Sequence, residues 1–274
     1  MDYLLLLIFF FNGLPIILTV QSIIYILLNE EKSLFDIHVR RYNVEKYYEG
    51  RDSSHGMEHI RRVFFWLEEL IKDMEDENDK NIVRIAALFH DAYDHKYALK
   101  YAPKNPQKWI DNKKRQINIS IDAYTTNKEQ KLIHRIIDNV SFTKEKKKRG
   151  LNQEKTIRLM NCHNNQKKNN KEENLRNIVS DADKLDAIGK EAIDRMYHYQ
   201  EANITHTKYS EEWFECHIDH IRTHCKEKLY ILMEHNYIQT DKGREIGNER
   251  LQELKNIVDN DIYLLDCIIT LYFK

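Results

Sequence analysis

The sequence predicts an all-α protein, a bundle of helices with an extra hydrophobic segment at its N-terminus. Three observations predict it. Gly occurs 7 times and Pro 3 times in 274 residues, so few positions break helices or supply tight turns. Apolar residues recur at three- and four-residue steps along much of the chain, which places them on one face of a helix. No stretch reads as a strand. Hydrophobic residues at 42% against charged residues at 32% suit a globular chain able to bury a core.

The elements follow in order. From Tyr3 to Leu28 the only polar side chains are those of Asn12, Thr19, Gln21 and Ser22, with Gly13 and Pro15 inside the run. At about 1.5 Å per residue such a helix crosses a bilayer core of about 30 Å. A secretory signal would open with basic residues, but the charge before the run is Asp2, and Lys32, Arg40 and Arg41 follow it. Residues 1–30 are therefore expected to be a membrane anchor through 3–28, with the folded part facing the cytoplasm.

Residues 31–50 read as a linker running into a helix that ends at Gly50, and 51–274 as the main domain. A helix over 56–74 carries the stripe Ile60, Val63, Phe64, Leu67, Leu70, Ile71 and Met74. Asp79 is placed to cap the next helix, whose run Ile82 to Phe89 is apolar on nearly all sides and so belongs deep in a core. A helix over 128–139 turns Leu132, Ile133, Ile136 and Ile137 inward. The basic run Lys144 to Arg149 and the Asn/Lys-rich stretch 164–174 read together as a solvated, mobile loop over about 144–174. Three further helices are expected at 174–200, 211–236 and 242–272.

The formal net charge is −1, which gives no overall basic footprint for a polymeric nucleic acid. A small phosphorylated partner fits better. Cys162, Cys216, Cys225 and Cys267 form no CxxC pair, so they read as free thiols, not as a zinc site or a disulfide framework.

The chemistry concentrates at His90-Asp91, directly after the apolar run Ala86 to Phe89. An ionised Asp buried beside a His needs compensation, and a divalent cation accepts both ligand types. Neighbouring ligands on a helix point about 100° apart, so they share an ion only where the helix frays or meets it edge-on. The rest of the ligand set must come from elsewhere. His59 lies beside the stripe of the preceding helix, and Asp183 lies among Val179, Ala182 and Leu185.

With SHGMEHIRRV (54–63), AALFHDAYDHK (86–96), NVSF (139–142) and DADKLDAIG (181–189) in this order, the chain resembles the HD-domain metal-dependent phosphohydrolase superfamily. It is most similar to the small bacterial-type branch of nucleotide pyrophosphohydrolases, over about residues 52–250. The resemblance implies His59, His90, Asp91 and Asp183 as the ligands of one divalent ion. Mn is the first expectation, with Mg, Fe, Co, Ni and Zn as alternatives. It also implies a catalytic carboxylate at Asp94, which stands four residues after His90 and would share its helical face. His224 and Lys228 fall where the family places a His before Glu-Lys-Leu, a substrate position.

Other roles follow from placement. Arg62 and Lys96 are candidate clamps for phosphate oxygens. His55, four residues before His59, could protonate a leaving oxygen. Asp186 shares a face with Asp183 and either contacts substrate or orients a ligand. Asp181 reads as a helix-start carboxylate. His217 and His220 share a stripe with His224 but read as packed side chains. His134 and His163 offer only a weak second metal site, so a single ion is expected.

The sequence departs from the family at Lys190-Glu191-Ala192, in the long loop after Phe142 and in its N-terminal run. The expected reaction is metal-assisted hydrolysis of a small phosphorylated substrate, a nucleotide, by pyrophosphohydrolase-type cleavage of an NTP or dNTP. A phosphodiesterase, a nucleoside monophosphatase and a non-catalytic membrane-tethered ligand sensor are the alternatives. A homodimer is compatible with the reading.

Overall fold

The computed structural model describes residues 34–51, 55–147, 149–150, 170–201 and 210–273. The expected anchor at 3–28 and the part of the expected loop over 151–169 lie outside them. Among the described residues there is no strand, and no helix is long and apolar enough to cross a membrane. The chain divides into two compact units, Met1–Val44 and Glu45–Lys274.

In the first unit α1 spans 34–42. It stops well before Gly50, because Asn43 takes a left-handed conformation with φ 50 that ends the helical run. In the second unit a 3₁₀ turn, Glu45–Tyr47, precedes Gly50, whose φ of 71 closes a separate turn.

Helix α2, Met57–Ile71, buries His59, Ile60, Val63, Phe64, Leu67 and Ile71, the stripe its periodicity announces. Helix α3, Glu77–Phe89, starts at Asp76, whose side chain accepts from the backbone N–H of Asn78 and Asp79. Asp79 is therefore not the cap. It sits inside the first turn, where the Lys171 ammonium lies 2.8 Å from its carboxylate. Residues Ile82, Val83, Ile85, Leu88 and Phe89 of α3 are all buried, and each stabilises the core by roughly 1.5–3 kcal/mol.

Helices α4, His95–Tyr101, and α5, Pro106–Ile121, occupy a stretch with no assignment from sequence. In α5 only Ile117 and Ile121 are fully buried, too sparse a stripe to stand out. The start signal was nonetheless present: Asn105 caps and Pro106 opens the helix. Helix α6, Asn127–Asp138, carries a capping box formed by Thr126 and Glu129.

The basic run is helical rather than a loop, since residues 142–147 form α7, although Lys144, Lys146 and Lys147 are solvent-exposed as expected. Glu145 is buried, accepting from Lys184 Nζ at 2.7 Å and from Arg149 at 2.6 Å. Arg149 also donates to the His235 and Asn236 carbonyls and covers the Tyr237 ring. Charges with distant partners look solvated in a local pattern and are not.

Two expected helices prove to be pairs. Gly189, at φ 113, separates α8, Asn170–Ala187, from α9, Glu191–Glu201. Asn260 starts a new helix by accepting from the N–H of Ile262 and Tyr263, so α12, Asp241–Val258, and α13, Asp261–Tyr272, are distinct. Between them in the chain, α10, Glu211–His224, passes through a π-helical turn, Cys225–Leu229, into α11, Tyr230–Glu234. Asp181 lies inside α8. It serves as a helix-start carboxylate for α12 instead, accepting from the N–H of Gln239 and Thr240.

Helix α2 packs mainly on α8, while α3 packs against α2, α6 and α8. A second core joins α9 to α13 through Met196, Trp213, Ile221, Leu254 and Leu264. Helices α2, α3 and α8 together supply the candidate metal ligands.

Candidate metal centre

Helix α3 ends at Phe89, and His90 and Asp91 fall in the turn that follows. This resolves the geometric difficulty of adjacent ligands, since off the helix they need not diverge. The turn is fixed from outside by Arg51, which donates to the Asp91 carbonyl at 2.9 Å and the Ala92 carbonyl at 3.0 Å. Tyr48 O–H donates to the Leu88 carbonyl at 2.8 Å. Neither residue carries a sequence signal for this role.

His59, His90 and Asp91 bring one potential ligand atom each to within 4.8 Å of one another. The two Nε2 atoms are 3.1 Å apart. Asp183 Oδ1 lies 3.4 Å from His59 Nε2 and 3.6 Å from His90 Nε2. The Asp91 oxygens lie 3.9 and 3.8 Å from the same two nitrogens. The four residues implied by the motifs therefore converge.

The hydrogen bonds on the far side of each ring assign the tautomers. His90 Nδ1 donates to the Ala87 carbonyl at 2.8 Å, and His59 Nδ1 donates to the Asp186 carboxylate at 2.8 Å. A neutral ring protonated at Nδ1 presents a lone pair at Nε2. With both rings in that form, two lone pairs and two carboxylates face a common point that a shared proton or a metal cation can occupy. Burial opposes a charge on His90, yet Asp91 and Asp183 outweigh it and raise its pKa from 6.5 to about 9. Burial likewise opposes the Asp183 carboxylate, but His90 and His59 hold its pKa below the usual range. The donor set fits one divalent ion with mixed nitrogen and oxygen ligation.

Comparison with known families matches residues 56–188 to the HD domain. Residues 56–188 are an HD domain. No curated protein matches the chain. Two of the solved structures similar to it show the extent of the likeness in identity and coverage. One is a protein from Lactobacillus plantarum, 23% identical, covering 80% of this chain and 91% of that one with a TM-score of 0.49. The other is Bacillus subtilis YpgQ, solved in complex with ADP, 20% identical, covering 80% and 89% with a TM-score of 0.48.

His59, His90, Asp91 and Asp183 open onto a cavity of about 1020 Å³. His55, Asp94, Lys96, His224 and Lys228 line it as well. Asp94, however, does not share a helical face with His90, because α3 has already ended. It caps α4, its Oδ1 accepting from the Lys96 N–H at 2.8 Å. His224 is driven down to about 4 by burial, with Lys228, His220 and Arg195 adding to the effect. It therefore meets the cavity as a neutral ring.

Two sequence assignments are corrected. Asp186 is 1% exposed, does not line the cavity, and accepts from His59, Arg62 and Arg195. It orients a ligand and is not a substrate contact. Arg62 gives its guanidinium to Asp186 at 2.6 and 3.3 Å and stands outside the cavity wall, so it is no phosphate clamp. A carboxylate inside the HD domain is the stronger partner.

His220, expected to be a packed side chain, is only half-buried and lines the cavity beside His224, whereas the other histidines and the thiols have plain roles. His217 is buried against Trp213 and Tyr197 and donates to the Trp213 carbonyl. Both ring nitrogens of His134 are engaged, by Asn118 and Tyr93, which leaves none for a second metal. Cys216, Cys225 and Cys267 are free thiols. His163 and Cys162 lie outside the described residues. Arg195 in the cavity wall was missed. It falls among inward-facing residues of α9, where a lone Arg carries no motif.

Proposed function

We propose that this protein is a metal-dependent phosphohydrolase that cleaves a nucleoside or deoxynucleoside triphosphate in pyrophosphohydrolase fashion. The observation that carries the reading is the convergence of His59, His90, Asp91 and Asp183 on a cavity with cationic walls. Lys96, Lys144, Arg195 and Lys228 all line it, and together they suit an anion with several charges. Ile110, Phe142 and Met196 add apolar lining against which a base can lie.

The four ligands would hold one divalent ion, Mn first among those that accept mixed ligation. When bound, the ion supplies Lewis-acid charge that polarises a phosphoryl oxygen and makes a water more acidic. Asp94 accepts the proton of the attacking water, its carboxylate held at the cavity by the Lys96 N–H. Lys96 and Lys228 neutralise charge gathering on the phosphate oxygens. His55 gives a proton to the leaving oxygen, and the neutral His224 ring offers a hydrogen bond.

A product screen tests this. Purified protein with Mn²⁺ is offered NTPs, dNTPs, cyclic dinucleotides and nucleoside monophosphates. Pyrophosphate release from a triphosphate is expected. Turnover confined to monophosphates or cyclic dinucleotides would reassign the site as a phosphatase or phosphodiesterase. No turnover at full metal loading would leave a sensor.

We further place the domain on the cytoplasmic face of a membrane through residues 3–28, on the strength of their composition alone. The full chain is expected to sediment with membranes, and a chain lacking residues 1–30 to remain in the supernatant. A full chain that stays in solution without detergent removes the anchor.

A further inference from the structure

Asp186 is held by two arginines, and the two are not equivalent. Arg62 contacts both carboxylate oxygens, with Nε 2.6 Å from Oδ1 and Nη2 3.3 Å from Oδ2. Arg195 donates from Nη1 to Oδ2 at 2.8 Å and from Nη2 to the Asp186 main-chain carbonyl at 2.6 Å. Two guanidinium groups therefore meet one carboxylate. Arg195 is half-buried, and a second cation in that position calls for an anion.

Its location says where the anion goes. Arg195 lines the cavity beside His224 and Lys228, and Arg62 does not. Two of the five guanidinium N–H groups are spent on Asp186. The others meet no acceptor among the described residues.

We propose that Arg195 binds a phosphoryl oxygen of the substrate with the edge it turns to the cavity while its other edge holds Asp186, so that one guanidinium both anchors the substrate and fixes the metal ligand His59. Substrate and metal are then coupled through Arg195, Asp186 and His59, and each strengthens the binding of the other by the same factor. The inference rests on the phosphohydrolase reading for the identity of the anion.

The two arginines supply their own control. The probe is inorganic phosphate, titrated calorimetrically into the full chain at saturating Mn²⁺, with metal affinity measured in parallel. Arg195→Ala and Arg62→Ala each remove support from Asp186, so both should weaken metal binding. Only Arg195→Ala should also weaken phosphate binding, by about 10- to 100-fold, as for loss of a charge-assisted hydrogen bond. Arg62→Ala should leave phosphate affinity within about twofold.

If the Ala variants do not fold, Arg195→Lys and Arg62→Lys replace them, and again only the first should lower phosphate affinity. Equal effects of the two arginines on phosphate, or none from Arg195, overturn the proposal. Phosphate bound through Arg195 by a protein that turns over no substrate would retain this inference and remove the phosphohydrolase reading.

Discussion

Asp94 and Asp183 border the same cavity, but their partners set them to different work. Asp183 Oδ1 sits 3.4 and 3.6 Å from two imidazole nitrogens, whereas among the described residues the Asp94 carboxylate accepts from the α4 backbone at 2.8 Å. Asn caps a helix as well as Asp does, so Asp94→Asn should fold normally and keep its metal. Loss of a general base should lower its rate by about 10²–10⁴-fold. Asp183→Asn should lose metal affinity first and activity in consequence. Metal analysis beside turnover separates the two, and a wild-type rate in Asp94→Asn would exclude it as the base. His90 and Asp91 were legible because they follow the apolar run Ala86 to Phe89, and His59 and Asp183 because they sit in motifs that resemble the family pattern. Arg62 and Asp186 meet across 124 positions of sequence, and no local pattern reveals which distant charge a side chain will find.

At the level of elements, the break between α8 and α9 decides where these side chains go, because Asp183 and Asp186 lie before it and Arg195 after it. Gly189 makes the break with φ 113, and a Cβ there would lie 2.5 Å from Arg250 Nη2. That arginine in turn ties the end of α8, donating from Nε to the Leu185 and Ile188 carbonyls at 3.1 and 2.9 Å. Gly189→Ala is therefore expected to destabilise the protein by about 1–3 kcal/mol, read as a lower urea midpoint. An unchanged midpoint would mean the break tolerates a side chain. Helices α2, α3 and α6 were legible from strong stripes or capping signals. The breaks at Gly189 and Asn260 were not, because apolar spacing continues across both. A periodic pattern records burial and is blind to a change of direction. Helix α7 was hidden for a different reason, its charges being paired with Lys184 and with carbonyls before α12.

At the scale of the whole molecule, the near-zero net charge of −1 conceals a local concentration of charge, since Lys96, Lys114, Lys144, Arg195 and Lys228 line the cavity onto which Asp91 and Asp183 open. The all-α class survives any error in helix boundaries, since it depends on composition and period, whereas the centre depends on long-range packing of α2, α3 and α8. On the proposed reading that packing ties the ion to the stability of the fold, and the titrating groups of the centre give it a pH dependence. In chelated protein His90 has a pKa of about 9 against 6.5 when unfolded. A raised folded-state pKa contributes stability that is complete below 6.5 and is lost as pH climbs through about 9. The shift corresponds to about 3 kcal/mol. Asp91 and Asp183 are shifted the other way, so their contribution is present above their unfolded value of 3.8 and is lost on acidification. With EDTA, the melting temperature should therefore peak between about pH 4 and 6.5 and fall towards pH 9. On the proposed reading, a divalent ion such as Mn²⁺ would compete with the proton for His59 and His90 and would bind better as the proton leaves. Its stabilising effect should accordingly be small at pH 5 and largest near pH 9. Thermal melts across that range, with EDTA and with Mn²⁺, provide the measurement. A metal effect that does not grow with pH would show that proton and ion do not compete for one position, and the four-residue centre would have to be redrawn.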